Sequence, residues 1–140
     1  MLTRWLSKTE KELTGADVAL IFDYADVAAA PTTVAVNVLS ILAGTKAQVV
    51  GAKLITAFDI TGTGNLTLSL GDGGSATALT AAFQVAVDDT EILYHVGGSA
   101  KVYLVDDTID AFWTASSMAY TSGSIAVYLR VEDLNRWPIR

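Results

Sequence analysis

The chain of 140 residues has no cysteine, one histidine and two prolines, and only 17% of its residues are charged. Without cysteine there is no disulfide framework, no thiolate zinc site and no thiol nucleophile. The one imidazole, His95, cannot build a metal centre that needs several histidines. A Ser-His-Asp relay would have to pass through His95, yet no G-x-S-x-G elbow is present to carry the serine. Beside a Gly-Gly turn, such a histidine reads as structural or solvated. The shortage of charge is equally informative, since soluble domains average about 25%. With 51% hydrophobic residues, a monomer of this composition would leave much uncharged surface in water. Self-association would bury that surface.

Basic residues are scarce too. Nine Lys and Arg against fifteen Asp and Glu give a net charge of −6, with no basic cluster. Nucleic acid is therefore an unsuitable partner, because phosphate neutralisation dominates that affinity. Two stretches of 19 residues, 27–45 and 111–129, carry no charge. Membrane spans need about 20 predominantly apolar residues, and these stretches are interrupted by Pro31, Asn37 and Gly44 in one and Ser116, Ser117 and Gly123 in the other. Both read as strand pairs meeting at a turn. The charged first fifteen residues lack the apolar core of a secretory signal, so a soluble, unprocessed chain is expected.

What the sequence does contain is alternation. In 124–131, Ile125, Val127, Leu129 and Val131 share one side, while Ala126, Tyr128 and Arg130 share the other. Successive strand side chains point to opposite faces, so this period of two describes a sheet with one face buried. Val18, Leu20 and Phe22 repeat the pattern, as do Val34, Val36 and Val38, then Leu66, Leu68 and Leu70, then Phe83, Val85 and Val87. Further strands are expected over 48–60, with a bend at Gly51, and over 101–105, 109–119 and 124–131. Gly62–Asn65, Gly71–Ser75, Asp106-Asp107 and Thr121-Ser122-Gly123 read as turns. Residues 76–82 fit a loop or one helical turn, and 91–96 fit no pattern cleanly.

Eight or nine short strands without a long helix predict an all-β protein. A jelly-roll-like two-sheet antiparallel β-sandwich is favoured, since two sheets of four strands protect most edges. An immunoglobulin-like sandwich or a closed barrel is the alternative. Residues 1–15 form an N-terminal arm in this reading, 16–134 the sandwich domain and 135–140 a C-terminal tail. The chain is long enough for one such domain. The first segment could equally pack against its own domain or dock on another subunit. Deleting residues 1–14 is expected to leave the fold intact.

Candidate chemistry is sparse. Asp88-Asp89 with Glu91, and Asp106-Asp107 with Asp110, place carboxylates in turns. Hard oxygen ligands suit calcium, but the spacing is not that of an EF-hand, and adjacent aspartates at strand ends ordinarily accept backbone N–H bonds. A glycosidase pair would require a spatial separation that sequence does not show. Gly71–Thr77 lacks the Gly-Lys-Ser/Thr ending of a phosphate loop, and Asp72 would repel phosphate. Asn65-Leu66-Thr67 matches a glycosylation sequon, a motif common by chance. No cofactor, metal or catalytic residue is assigned.

Over residues 50–134 the cadence of strands and turns resembles the small capsid decoration (cement) proteins of tailed bacteriophages and related virion accessory proteins. The segments that carry it are Ala57-Phe58-Asp59, the strand from Leu66 into Gly71-Asp72-Gly73, Asp107–Ala111, and Thr121-Ser122-Gly123 leading into Val127–Leu134. The resemblance implies a β-rich homo-oligomer, frequently a trimer, seated on the virion where major capsid protein subunits meet. It implies no enzymatic activity, nucleic-acid partner or membrane, and assembly in the host cytoplasm. Anchors for such contacts should be aromatic and apolar. Trp5, Leu6, Tyr128 and Trp137 are the candidates, whereas Trp113, inside an alternating run, is expected in the core. Two other readings share the fold: a phage tail or head–tail connector component, and a carbohydrate-binding module using Tyr94, Tyr103, Tyr120 and Tyr128.

Overall fold

Alternating segments become strands when each finds a neighbour for its backbone, and here they do so in two antiparallel sheets. The computed structural model describes residues 2–28, 33–61, 66–85, 93–94, 99–115 and 119–136. The elements are β1 (Leu2–Trp5), α1 (Lys8–Thr14), β2 (Val18–Asp23), α2 (Tyr24–Ala28), β3 (Thr33–Ile41), β4 (Thr45–Thr61), β5 (Leu66–Asp72), β6 (Phe83–Val85), β7 (Leu93–Tyr94), β8 (Lys101–Tyr103), β9 (Asp107–Ala115) and β10 (Ala119–Asp133), followed by a 3-10 turn over Leu134–Arg136. One sheet has the order β1-β2-β10-β4, with β7 and β8 both paired to β4 at different positions along it. The other has the order β3-β9-β5-β6. The protein is an all-β, two-sheet sandwich.

The inward-facing positions are those that the period of two selects. Val18, Leu20 and Phe22 of β2 and Ile125, Val127 and Leu129 of β10 meet Leu66, Leu68 and Leu70 of β5 and Ile109, Ala111 and Trp113 of β9, all fully buried. Two inner faces interdigitating in this way form the core of a sandwich. Trp113 sits at its centre, edge-on to Phe22 with ring centroids 5.5 Å apart, and 6.3 Å from Phe58.

The long strands are not regular. Leu129 pairs with Val49 and Tyr128 with Gly51, so Val50 is an extra residue on β4; Ile55 is another, between Leu54 and Thr56. A bulge re-aims a side chain and bends its strand, which accounts for the bend expected at Gly51 and for the exposure of Val50 and Ile55. The turn expected at Thr121-Ser122-Gly123 is absent: these residues lie within β10 and carry its register shifts. Gly123 adopts φ +135°, and a Cβ there would lie 2.4 Å from the Phe58 ring. The small residues permit close approach across a bulge rather than a reversal of the chain.

The N-terminal arm also takes a different form. Residues 2–5 are an edge strand of the first sheet, in register from Leu2 opposite Ile21 to Trp5 opposite Val18. Thr3 Oγ1 donates to the Val38 carbonyl of the other sheet at 3.2 Å, tying the two edges together. Ser7 then starts α1 with a capping box, its side chain accepting from the Glu10 N–H while Glu10 accepts from the Ser7 N–H. A hydrogen bond from Arg4 is the main reason the exposed Glu10 carboxyl is held at about 2. Edge-strand pairing satisfies backbone groups that an extended arm would leave to water, so this segment belongs to the domain. The expected turn at Gly62–Asn65, the carboxylates Asp88, Asp89 and Glu91, His95 and the tail residue Trp137 lie outside the described residues.

Candidate interaction surface

One end of the sandwich is built from the β3–β4 turn, the β8–β9 turn, the start of β4 and the end of β10. Pairing dictates this: Thr45 lies opposite Asp133 on one side and Tyr103 on the other, and Ile41 lies opposite Asp107. The β3–β4 turn is pinned from three directions. Gly44 N–H donates to the Tyr103 carbonyl at 2.7 Å, Leu134 N–H donates to the Gly44 carbonyl at 2.9 Å, and Ala43 N–H donates to Asp106 Oδ1 at 2.9 Å. Gly44 holds a left-handed φ of +86°, and a Cβ would strike the Asn135 amide at 2.3 Å.

Beneath this end lies a buried polar tie between the sheets. The Asp72 side chain, at the end of β5, has no exposure and accepts hydrogen bonds from Lys101 Nζ and from the Tyr103 hydroxyl at 3.0 Å, both on β8. Its other oxygen accepts the N–H groups of Gly74 at 2.9 Å and Ser75 at 3.0 Å. Burial acts to raise the Asp72 carboxyl, but the Lys101 bond and the three further donors outweigh it and hold it below the ordinary carboxylate range. Burial, reinforced by Asp72, pushes the Tyr103 phenol well above the usual tyrosine range. Lys101 Nζ also lies 4.9 Å from the centre of the Tyr103 ring. Of the turn expected over Gly71–Ser75, Gly71 and Asp72 instead complete β5, paired with Asp110 and Ile109, and the chain bends only from Gly73; the role of Asp72 as the inter-sheet tie was not anticipated.

On this frame the end presents apolar side chains to solvent. Leu104 is 84% exposed, Val105 70%, Leu42 68% and Trp5 60%. β8 ends at Tyr103, because β4 begins at Thr45 and offers no partner further on. Residues 104 and 105, expected to continue that strand, therefore project instead of pairing. Trp5 and Leu42 line a groove of about 340 Å³ together with Ala43, Thr45, Val131, Asp133 and Asn135. Among the described residues no lysine or arginine lines it. Asp106 accepts the backbone N–H of Ala43, one of the residues that line it.

The four candidate anchors separate. Trp5 lines the groove. Leu6 is buried in a small cluster with Ala16 and Ala19, and the half-buried Tyr128 and Ile21 pack against that cluster. Leu6 is thus packed within its own chain and is not presented to a partner. Tyr128 does lie on the outer face, as its alternation predicted, but it also packs within the chain. Leu42, Leu104 and Val105 were missed; the only signal was a run of four apolar residues, 102–105, that no strict alternation explains.

The carboxylates in and just after the β8–β9 turn accept hydrogen bonds from within the chain. Asp106 accepts from Ala43, Asp107 Oδ1 accepts from Gly73 at 3.3 Å and Thr108 at 2.8 Å, and the buried Asp110 accepts from the Thr108 hydroxyl at 2.8 Å. Among the described residues no group of three or more potential ligands is placed to hold a metal ion. No described helix is long and apolar enough to cross a membrane. No family model, curated protein or solved structure matches the chain.

Proposed function

We propose that the protein is a non-enzymatic virion structural protein that decorates and stabilises a phage capsid, binding between major capsid protein subunits as a homotrimer. The observation that carries this reading is the apolar end formed by Trp5, Leu42, Leu104 and Val105. Four large apolar side chains are 60–84% exposed: Trp5 at the end of strand β1, Leu42 on the hydrogen-bonded β3–β4 turn, and Leu104 and Val105 on the β8–β9 turn. Contiguous exposed apolar surface on a rigid frame marks an interaction site. Rigid presentation lowers the ordering cost of association.

The strand orders β2-β10-β4-β8 and β3-β9-β5-β6, with the chain from β2 onward changing sheet at every step except β5 to β6 and β7 to β8, fit a jelly roll. That architecture is used by viral capsid and lectin domains. Fold alone does not specify function, and the resemblance in cadence over 50–134 adds support of the same kind. The carbohydrate-binding reading loses Tyr103, which is buried with its hydroxyl bound to Asp72 and offers no ring face to a sugar.

Co-sedimentation with capsids lacking this protein tests the proposal. Saturable binding that raises the temperature of capsid disruption is the expected result. A protein that stays in the supernatant at micromolar concentration would sink the capsid reading. A ring of six or twelve subunits would favour a connector component instead.

A further inference from the structure

The sandwich protects its edges unevenly. An edge strand leaves a row of unpaired N–H and C=O groups, which proteins blunt by shortness, charge or proline. β6, β7 and β8 run for three, two and three residues, and the four-residue β1 carries Arg4. β3, an edge of the second sheet, has nine residues, and Thr33–Ile41 contains no charged residue and no proline. β1 lies beside its far half: Thr3 bonds the Val38 carbonyl, and Trp5 shares a groove with Leu42 and Ala43. Along Thr33–Asn37 no described strand pairs with the outer edge.

The ladder shows which backbone groups face outward there. Leu70 N–H donates to Thr80 Oγ1 at 3.1 Å, and the Leu70 carbonyl accepts from the Leu79 and Thr80 N–H groups at 3.0 Å each. Its backbone is therefore turned away from β9. Leu70 lies opposite Ala111, and opposite residues in an antiparallel pair exchange both hydrogen bonds or neither. The backbone of Ala111 thus faces β3, where its partner is Val36. Orientation alternates along a strand, so Thr33, Ala35 and Asn37 turn their N–H and C=O groups to the outer edge.

We propose that this edge pairs with the same edge of a second copy, antiparallel about a twofold axis at Ala35. Thr33 of each copy then lies opposite Asn37 of the other and Ala35 opposite itself. About six backbone hydrogen bonds result, using every outward group of the segment. Strand addition of this kind draws its affinity from the main chain. A second copy fits because self-pairing sets no like charges opposite one another, places a small residue on the axis, and buries part of the uncharged surface that the composition leaves. The contact is isologous and goes beyond the threefold assembly of the proposed function. Copies associate in pairs, as dimers, or as hexamers where a threefold contact is also made.

Sedimentation velocity of the full chain tests this, using Ala35→Lys, Ala35→Asp and an equimolar mixture of the two. Wild type should sediment as a dimer or hexamer. Each variant alone sets two like charges directly opposite across the axis and should pair at least about tenfold more weakly. The mixture should recover pairing, because a lysine then faces an aspartate at that position. Ala35→Pro repeats the test should the charged variants prove unstable: it removes an outward N–H without touching the β9 ladder, and edge strands accept proline there. It should weaken pairing by a similar factor. Variants that pair like wild type, or a mixture no more paired than its components, would overturn the twofold contact. A wild-type chain that remains monomeric on concentration would overturn it as well. A trimer indifferent to these substitutions would overturn this contact and leave the threefold assembly standing.

Discussion

Asp72 and Lys101 form an ion pair across the sandwich, joining the last residue of β5 in one sheet to the first residue of β8 in the other. The Asp72 side chain is wholly buried while the Lys101 side chain is 40% exposed. Two backbone N–H groups and the Tyr103 hydroxyl complete the carboxylate's bonding. Because β8 leads directly into Leu104 and Val105, this pair also fixes the base of the apolar end.

The tie should make stability depend on pH at the acid side. Asp72 is held below its ordinary range, so its contribution is fully present above the unfolded carboxylate value, about 3.9. That contribution is lost as pH falls through the lowered folded value. Tyr103 behaves oppositely: its phenol is raised, so its contribution is present below about 10 and is lost as pH rises beyond it. Thermal melting from pH 2 to 11 should show both limbs. Asp72→Asn should flatten the acid limb and cost about 1–3 kcal/mol at neutral pH, and an unchanged profile would remove Asp72 from this role.

The core tryptophan offers a second test. Trp113 Nε1 is buried with no hydrogen-bond partner among the described residues, so the indole contributes packing rather than bonding. Trp113→Ala should cost about 3–5 kcal/mol. Trp113→Phe should cost well under half of that in the same urea titration, since it keeps a ring against Phe22 and removes an unsatisfied donor.

Gly123 should tolerate no side chain. Its φ of +135° and the Phe58 ring, 2.4 Å from the position of a Cβ, combine strain with a clash against a buried neighbour. Gly123→Ala should destabilise by about 2–4 kcal/mol. A melting temperature within one or two degrees of wild type would show that the bulge can repack.

Leu104→Ser with Val105→Ser should separate surface from core. Both side chains are largely exposed, so stability should change by no more than about 0.5 kcal/mol. Capsid binding should fall sharply if this end is the docking surface; unimpaired co-sedimentation would place the contact elsewhere.

Removal of residues 1–14 should destabilise the sandwich, contrary to the expectation for a detachable arm. It would strip β1 from β2 and uncover the Ala16–Ala19 cluster that Leu6 closes. Calorimetry showing an unchanged transition would restore the arm interpretation.

The interior was legible from the order of residues because strand geometry imposes it. Val18, Leu20 and Phe22, or Leu66, Leu68 and Leu70, can all face inward only if they alternate, so the pattern names the core before any partner strand is known. Trp113 was legible for the same reason. Thr121-Ser122-Gly123 was misread because small polar residues serve a turn and a bulge equally well, and only the neighbouring Phe58 distinguishes them. Leu6 was read as an anchor because nothing local reveals that Ala16 and Ala19 lie beneath it.

Sequence alone therefore determined the fold class, the faces of the major strands and the lack of a recognisable catalytic motif, all of which follow from local periodicity and composition. The apolar end was decided by tertiary structure. Trp5, Leu42, Leu104 and Val105 come from three separate parts of the chain, and strand pairing across the sheets brings them to one end. Their exposure depends on where pairing stops: Leu104 and Val105 project because β4 begins at Thr45, a limit set by a segment more than fifty residues away.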